Sequence, residues 1–422
     1  MGVGKRNPWA WIPTLYFSQG LPYVIVMTVS VIMYKNFGLS NTKIAFYTSW
    51  LYLPWVIKPL WSPFVDIFFT KRKWVLATQF ILGISLASIA LTLPTPQYFQ
   101  YSMIFLWLMA FNSATHDIAS DGLYLISLNS KEQSFFVGIR STFYRVAMIT
   151  GQGLLVILAG YLEGVLNSPH KAWSIVFGIL AGLYISFFVY HKFALPKPEI
   201  NNEQKSKSLK EVLAEFVGTF KLFFVQKNIF IAILFLMTYR LGESQLVKLA
   251  SPFLLDDLQV GGLGLSTTEV GLIYGTFGVI ALTIGGILGG VLASRNGLKH
   301  WIWWMLAAIN LPNVVYVFLS YAQPQSIWVI SSAIVIEQLG YGFGFTGYML
   351  FMIYISRGKY QTAHFAITTG FMALGMMIPG MVSGWIQEII GYQYFFIWVL
   401  IATIPSFIVT AYLKIDKNFG VK

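Results

Sequence analysis

The 422-residue chain contains no cysteine, and only 10% of its residues are charged. The absence of cysteine excludes disulfides, zinc–thiolate sites and catalysis by a thiol. Soluble domains carry about 25% charged residues, so the low charge excludes most soluble enzymes and disordered chains. The sequence instead has 56% hydrophobic residues and a mean hydropathy of +0.67. This composition is typical of a polytopic membrane protein whose helices face lipid.

Twelve apolar runs are long enough to cross a bilayer, whose core of about 30 Å needs roughly 20 residues per helix. Because these runs do not alternate apolar and polar residues, they predict helices and not the strands of an outer-membrane barrel. The predicted spans are 9–34, 42–66, 74–93, 100–128, 135–163, 171–193, 228–256, 266–293, 301–321, 326–355, 362–388 and 391–413. The sequence therefore predicts an all-α membrane protein with twelve transmembrane helices.

The positions of lysine and arginine indicate which ends of the spans face the cytoplasm. With both termini inside, the segments facing the cytoplasm hold most of the 28 basic residues. The segments facing outside hold only Lys35, Lys43 and Lys171. This bias predicts cytoplasmic termini, and it explains the formal net charge of +12 without a nucleic-acid partner.

A charged stretch at 196–227 divides the chain. Pro196 and Pro198 end the sixth span, and apolar residues then recur at a spacing that predicts an amphipathic helix along the inner membrane surface. We expect a six-helix bundle over 1–195, a cytoplasmic linker over 196–227, and a second six-helix bundle with a short tail over 228–422. This layout resembles that of the major facilitator transporters, whose two halves are related by an axis along the membrane normal.

The turns after spans 2 and 8 resemble the facilitator signature Gly-x-x-x-Asp-Arg-x-Gly-Arg-Lys. Any loop that faces the cytoplasm is expected to be basic. The two turns, however, occupy corresponding positions in the two halves of the chain, which favours a cytoplasmic gating motif that locks neighbouring helices. Neither copy is complete, because the first lacks both glycines and the second has Ser294 in place of the acid. The residues assigned to this motif are Ser62, Asp66, Arg72, Gly290, Arg295 and Gly297.

Span 4 carries ionisable residues, which are costly in a membrane and by default indicate a functional site. Asp117 and Asp121 stand one turn apart on its polar face. Two nearby carboxylates in a low dielectric resist double ionisation, so one of them is expected to hold a proton, as a proton relay requires. The pair could instead bind Arg140 and Arg145 of span 5 and hold the bundle together. The two roles can coexist.

Further ionisable residues lie in spans 5, 7 and 10. Arg145 lies deep in span 5 and is a candidate for binding a substrate carboxylate or phosphate, which a planar guanidinium grips through both oxygens. Arg240 and Lys248 of span 7 are candidates for the same role, although Arg240 could simply neutralise Glu243 at i, i+3. Glu337 of span 10 has no basic residue in its own helix. It therefore needs a partner elsewhere, either Arg240 or a proton, and we assign it to proton coupling.

Other polar residues of spans 1, 4 and 5 complete the predicted site. The predicted substrate contacts among them are Gln19, Tyr23, His116 and Tyr144. No motif of a P-loop, dinucleotide-binding fold, serine hydrolase or metalloprotease occurs in a fitting context. We therefore expect no enzyme activity, no cofactor and no metal.

Three segments of the N-terminal half resemble the AmpG muropeptide permeases, a branch of the major facilitators shared with the acetyl-CoA transporters. The segments read Phe17-Ser-Gln-Gly-Leu-Pro22, Lys58-Pro-Leu-Trp-Ser-Pro63 followed by Asp66, and His116-Asp-Ile-Ala-Ser-Asp121. The family pattern of the third segment is Gln-Asp-Ile-x-x-Asp. Its two acids map onto Asp117 and Asp121, and His116 replaces the glutamine.

The resemblance implies a monomeric, proton-driven importer of N-acetylglucosaminyl-anhydro-N-acetylmuramyl peptides in the bacterial inner membrane, acting in peptidoglycan recycling. Such a cargo offers carboxylates to Arg145, Arg240 and Lys248, and sugar faces to tyrosine and tryptophan. The partners would be the small-molecule substrate, protons and the lipid bilayer. The alternatives are a facilitator-type symporter of another sugar, sugar acid or organic anion, an integral-membrane transferase, and a sensor that binds ligand without transport.

Overall fold

The computed structural model describes residues 6–197, 209–358, 360–417 and 419, and within these residues it contains helices and no strand. The first ten helices are α1 Ile12–Val24, α2 Ser30–Asn36, α3 Asn41–Trp50, α4 Leu53–Ile67, α5 Lys71–Thr92, α6 Tyr98–Ser127, α7 Ser130–Ile149, α8 Leu155–Leu166, α9 Pro169–Ala194 and α10 Leu209–Phe224. The others are α11 Ile229–Thr238, α12 Leu241–Leu255, α13 Thr267–Val270, α14 Val279–Asn296, α15 Leu298–Asn310, α16 Val314–Ala322, α17 Ile327–Ile355, α18 Gln361–Ile401 and α19 Ile404–Ala411. Short π-helical stretches continue the helices at Ile25–Val29, Thr150–Leu154 and Gly271–Gly278.

Helical segments cover all the predicted spans. In the described part of the chain, nine continuous segments are long and apolar enough to cross a membrane. Span 2 consists of two shorter helices, α3 and α4, and span 4 is α6, which is not among the nine. One continuous segment, Gln361–Ala411, covers spans 11 and 12 together. The all-α membrane fold is thus confirmed, and the helices are consistent with twelve spans.

Gly391 separates the two spans inside α18. Its φ of 74° and ψ of 169° are not helical, and a positive φ strongly favours glycine because glycine has no Cβ. The chain leaves helical geometry at the residue where the sequence separates spans 11 and 12. The segment named α18 therefore consists of two helices, one for each span, which are joined at Gly391.

One compact unit comprises Met1–Val29 and Ile57–Gly218, and we call it unit 1. Within it, α1 packs against α7, and α5 lies between α6 and α9. Gly20 allows the close approach of α1 and α7, because a Cβ there would lie 3.1 Å from the carbonyl oxygen of Tyr144. The first helix is consequently buried on most of its surface. The outer helices instead expose large apolar residues such as Leu91, as expected for surfaces that face lipid.

The second compact unit, unit 2, comprises Ser30–Val56 and Thr219–Lys422. Here α17 packs against α14 and α15, and α18 packs against α3 and α12. A Cβ at Gly285 would lie 2.0 Å from the carbonyl oxygen of Leu339, and one at Gly342 would lie 1.9 Å from that of Leu282. Glycine is therefore required where these helices touch, because small residues allow membrane helices to approach each other closely.

Packing groups Ser30–Val56 with unit 2, although these residues belong to the first bundle in the division predicted from the sequence. The predicted linker 196–227 falls in large part on 198–208, outside the described residues, and α10 is its described helix. The predicted division into 1–195, 196–227 and 228–422 stays a prediction. The same holds for the cytoplasmic position of the termini.

Candidate functional site

The local structure around Asn129 brings α6 and α7 of unit 1 side by side. The Asn129 side chain accepts a hydrogen bond from the backbone nitrogen of Glu132 at 2.9 Å, and the Glu132 side chain accepts one from the backbone nitrogen of Asn129 at 3.0 Å. This capping box ends the turn after α6 and starts α7. It therefore returns the chain so that Arg140 of α7 lies beside Asp121 of α6.

The two aspartates of α6 have separate partners. Asp117 forms an ion pair with Lys58 of α4 and accepts a hydrogen bond from the Gln19 amide of α1. Asp121 forms an ion pair with Arg140, with 3.0 Å between Nη2 and Oδ1, and accepts a hydrogen bond from the Tyr16 hydroxyl at 3.0 Å. Side-chain exposure is 25% for Asp117 and 40% for Asp121. Both acids are thus ion-paired, yet the side chains of both remain partly exposed.

Sequence reasoning anticipated Arg140 as a partner of the acids but missed Lys58 as the partner of Asp117. The signal was present, since Lys58 is a cation inside a predicted span and such residues usually pair with an acid. Arg140 also lies over two aromatic rings, 4.5 Å from the Tyr16 centroid and 5.0 Å from the Tyr124 centroid. These cation–π contacts hold the guanidinium in place beside Asp121.

Another predicted substrate contact, Tyr144, lies near the acids. Tyr144 is partly buried, and it is close enough to Tyr23, Asp117 and Asp121 to interact with them electrostatically. Arg145 follows it on α7 and is also partly buried. The structure therefore brings Tyr144, Tyr23 and Gln19 into one region with the acids. Their contact with a substrate stays a prediction.

His116 lies in a different network, whose two histidine rings are fully buried. Its Nε2 is 3.2 Å from the Gln79 amide nitrogen, and its Nδ1 is 3.3 Å from the Ser120 hydroxyl. The Gln79 amide oxygen is 3.0 Å from Nδ1 of His191, whose Nε2 is 2.9 Å from the Thr14 hydroxyl. His116 is 1% exposed and His191 0%. The network satisfies both rings as neutral imidazoles, and sequence reasoning had missed Gln79 and His191.

Unit 2 holds a second group of ionisable side chains, beginning at a break in the predicted span 228–256. The helix is interrupted at Tyr239 and Arg240, between α11 and α12. Arg240 donates a hydrogen bond to the Tyr341 hydroxyl, and its guanidinium lies 5.1 Å from the ring centroids of Tyr341 and Phe345. Within the described residues its Nε has no hydrogen-bond partner.

Two buried carboxylates follow: Glu243 is close enough to both Arg240 and Glu337 for their charges to interact. Glu337 is 2% exposed, and its Oε2 accepts hydrogen bonds from Gln338 at 3.0 Å and Tyr316 at 3.5 Å. Glu243 is 1% exposed. Glu337 Oε1 and Glu243 Oε2 have no hydrogen-bond partner in the described part of the chain. Neither acid is among the ion pairs formed within 4 Å by described residues, so Arg240 does not pair with either.

Lys248 is the second cation of this group and is 1% exposed. Its Nζ donates a hydrogen bond to the Thr48 hydroxyl at 3.0 Å and lies 5.1 Å from the Tyr52 ring centroid. It too is absent from the ion pairs formed between described residues. Tyr52 links the two cations, because it is also close enough to Arg240 to interact with it electrostatically. Arg240, Lys248 and Glu337, which the sequence had assigned to substrate and proton, are thus all buried in unit 2.

Of the residues of the predicted gating motif, Arg72, Arg295 and Gly297 lie at helix ends, whereas Ser62 and Gly290 lie inside α4 and α14. Ser62 donates a hydrogen bond to the Pro59 carbonyl at 3.3 Å, and Arg72 donates one to the Lys192 carbonyl. Arg295 lies in the last turn of α14, which ends at Gly297 with a φ of 80°. A Cβ at Gly290 would meet no heavy atom of the described chain within 4 Å. The side chain of Asp66 lies outside the described residues, and the gating role stays a prediction.

The described residues contain no group of three or more His, Asp or Glu side chains placed to hold a metal ion. The structure instead places charged side chains inside the helices that are predicted to cross the membrane. Such residues mark substrate or ion pathways.

Comparison with known proteins identifies the family. Residues 14–363 match the model of the Major Facilitator Superfamily. The anhydromuropeptide permease of Escherichia coli (strain K12) is 26% identical over 424 aligned residues, which cover 96% of this chain and 81% of that protein. The resemblance to AmpG permeases is thus confirmed.

Solved structures agree on the fold. A point mutant of the nucleoside transporter NupG superposes with a TM-score of 0.72 at 15% identity, covering 96% of this chain and 99% of that one. A D-xylose–proton symporter gives 0.65 at 12% identity, covering 98% of both chains. At these identities the structures show the fold alone. The chain belongs to the Major Facilitator Superfamily, and it is a multi-pass membrane transporter and not an enzyme.

Proposed function

We propose that this transporter imports anhydro-muropeptides across the inner membrane and that the proton gradient drives the import. The cargo is supported by the similarity to the anhydromuropeptide permease, which extends over 96% of the chain. The topology with cytoplasmic termini follows from the excess of basic residues in the segments predicted to face inside. Alternating access would come from rocking of the two predicted halves.

The observation that carries the coupling is the arrangement of Asp117 and Asp121. The two acids lie one helical turn apart, and each has its own cation: Asp117 pairs with Lys58, and Asp121 pairs with Arg140. A carboxylate that takes up a proton loses most of its attraction for its cation. Protonation of Asp121 therefore frees Arg140 to bind an anionic group of the cargo. Loss of that proton on the other side restores the ion pair and expels the cargo.

Glu337 supports the same proposal from unit 2. Its buried carboxyl group has one oxygen without a partner among the described residues, and a buried isolated charge is unfavourable. The neutral, protonated form avoids that cost. A residue that holds a proton in one state and releases it in another is what coupling requires.

The test is uptake of a labelled anhydro-muropeptide by proteoliposomes with and without an imposed proton gradient. We expect Asp121→Asn to abolish uptake driven by the gradient and to keep exchange of labelled for unlabelled cargo, which needs no net proton movement. Asp257→Asn is the matched control, because Asp257 is exposed. Gradient-driven uptake by Asp121→Asn at the wild-type rate would remove Asp121 from the coupling role.

Competition decides the cargo. An excess of unlabelled anhydro-muropeptide is expected to suppress uptake of the labelled compound, whereas simple sugars, sugar acids and other organic anions are expected to have little effect. Suppression by a simple sugar or organic anion at similar concentration would favour the facilitator-type symporter of that compound. Neither result depends on which acid carries the proton.

A further inference from the structure

Four ionisable side chains of unit 2 are buried, and none of them forms an ion pair with another. Arg240, Glu243, Lys248 and Glu337 are each at most 8% exposed. Their formal charges cancel, yet no cation of the described chain forms an ion pair within 4 Å of either Glu243 or Glu337. A cluster that served only to hold helices together would pair these charges, because an unpaired buried charge is strongly unfavourable.

The unpaired atoms point to a missing partner. Glu243 Oε2, Glu337 Oε1 and Arg240 Nε have no hydrogen-bond partner among the described residues. Buried polar atoms in folded proteins nearly always have one, so a native exception needs an explanation such as a bound ligand. The atoms without a partner are thus two carboxylate oxygens, which can accept hydrogen bonds, and one guanidinium N–H, which can donate one. A ligand that satisfies them must therefore carry a donor group and an acceptor group.

The charges are also separated along one helix. Arg240 precedes α12, Glu243 lies in its first turn, and Lys248 lies further on. At 1.5 Å per residue, Glu243 is about 4.5 Å along the axis from Arg240 and about 7.5 Å from Lys248. Glu337 is close enough to Glu243 for their charges to interact. Along the axis of α12, Glu243 thus lies between the two cations.

We infer that this cluster binds a zwitterionic part of the cargo, with a free amino group at Glu243 and Glu337 and a carboxylate at Lys248 or Arg240. An ammonium group has three donors, enough for both open carboxylate oxygens. One negative charge suffices for one ammonium group, so Glu337 can hold its proton on Oε2, which then donates to the Tyr316 hydroxyl, and still accept through Oε1. The inference rests on the proposed function, and it assigns the peptide part of the cargo to unit 2.

The test compares two forms of one anhydro-muropeptide whose peptide carries a free amino group, the native form and the form with that amine acetylated. We expect wild-type protein to take up the native form with a KM at least about tenfold lower, since hydrogen bonds to charged groups are worth more than neutral ones. Glu243→Gln is expected to remove most of this difference by raising KM for the native form only. Glu269→Gln is the matched control, because glutamine preserves the capping box that Glu269 forms with Ser266.

The outcomes separate the inference from the proposed function. Equal KM values for the two forms in wild-type protein would overturn the inference and leave the import of muropeptides intact. If Glu243→Gln is not obtained folded, the wild-type comparison still decides. Uptake of neither form would refute the proposed cargo. The inference is then judged by thermal shift with free and N-acetylated dipeptides, where discrimination supports it and its absence refutes it.

Discussion

Replacing Gly285 by alanine tests how closely α14 and α17 must approach. A Cβ at Gly285 would lie 2.0 Å from the Leu339 carbonyl oxygen and 2.9 Å from the Phe343 nitrogen. Both atoms belong to the backbone of α17, which also carries Glu337. The backbone cannot rotate away as a side chain can. The two helices must therefore separate.

The size of the effect follows from that geometry. Ordinary contact begins at 3.4 Å and the Cβ would lie at 2.0 Å, so the helices must move apart by about 1.4 Å at this point. Overpacking of this kind typically costs about 1–3 kcal/mol. Alanine also gains about 1 kcal/mol over glycine inside a helix. A control glycine in the same helix gains the same amount, so the difference between the two variants isolates the cost of overpacking.

Gly290 provides that control, because a Cβ there meets nothing within 4 Å in the described structure. We expect Gly285→Ala to melt several degrees below Gly290→Ala in detergent, taking roughly 2–4 °C per kcal/mol for a domain of this size. The assay is the thermal loss of the monodisperse peak in size-exclusion chromatography. Equal melting temperatures for the two variants would refute the reasoning that backbone contact requires glycine at this position.

Three further predictions concern other parts of the protein. Lys58→Met should lower stability by about 1–3 kcal/mol, between the values for exposed and buried pairs, and adding Asp117→Asn should restore most of the loss in the same melting assay. Cysteines at Thr42 and Glu388, whose side chains hydrogen-bond at 2.5 Å, should stop uptake when joined by a short cleavable cross-linker, because the proposed alternating access moves apart the two predicted halves, 1–195 and 228–422, to which these residues belong. His191→Leu should cost about 1–3 kcal/mol by leaving buried polar groups unsatisfied, with KM for the cargo unchanged.

Each of these predictions has an outcome that contradicts it. A double variant of Lys58 and Asp117 no more stable than the single Lys58 variant would mean that the charges do not compensate each other. The cross-linking experiment is clean because the chain has no native cysteine. Full uptake by the cross-linked protein would show that this contact stays closed during transport. A raised KM in His191→Leu would place the buried network in the binding site.

Much of the site could be predicted from the sequence because it depends on local periodicity. Asp117 and Asp121 are four residues apart, so any helix through them places both on one face. Spans 8 and 10 are also rich in glycine, a composition typical of close helix contact, and the structure shows such contact at Gly285 and Gly342. The AmpG-like motifs in span 1, span 2 and span 4 predicted the family correctly.

The partners of those residues could not be predicted, because they come from helices far away in the chain. Lys58 meets Asp117 across 59 positions, and His191 meets Gln79 across 112. The break at Arg240 was missed because no proline lies near it to interrupt the predicted span 228–256. The spacing of residues within one helix does not specify which other helix it contacts, or at which level along its axis the contact lies.

By itself the sequence determined that the chain is a membrane-embedded helical transporter, which residues share a helix face, and where charge interrupts an apolar span. These properties follow from the composition and the spacing of neighbouring residues. Only the tertiary structure decided that Asp117 and Asp121 are ion-paired while Glu243, Glu337 and Lys248 are not. Pairing requires two atoms to come within a few ångströms, and that distance is set by how separate helices pack.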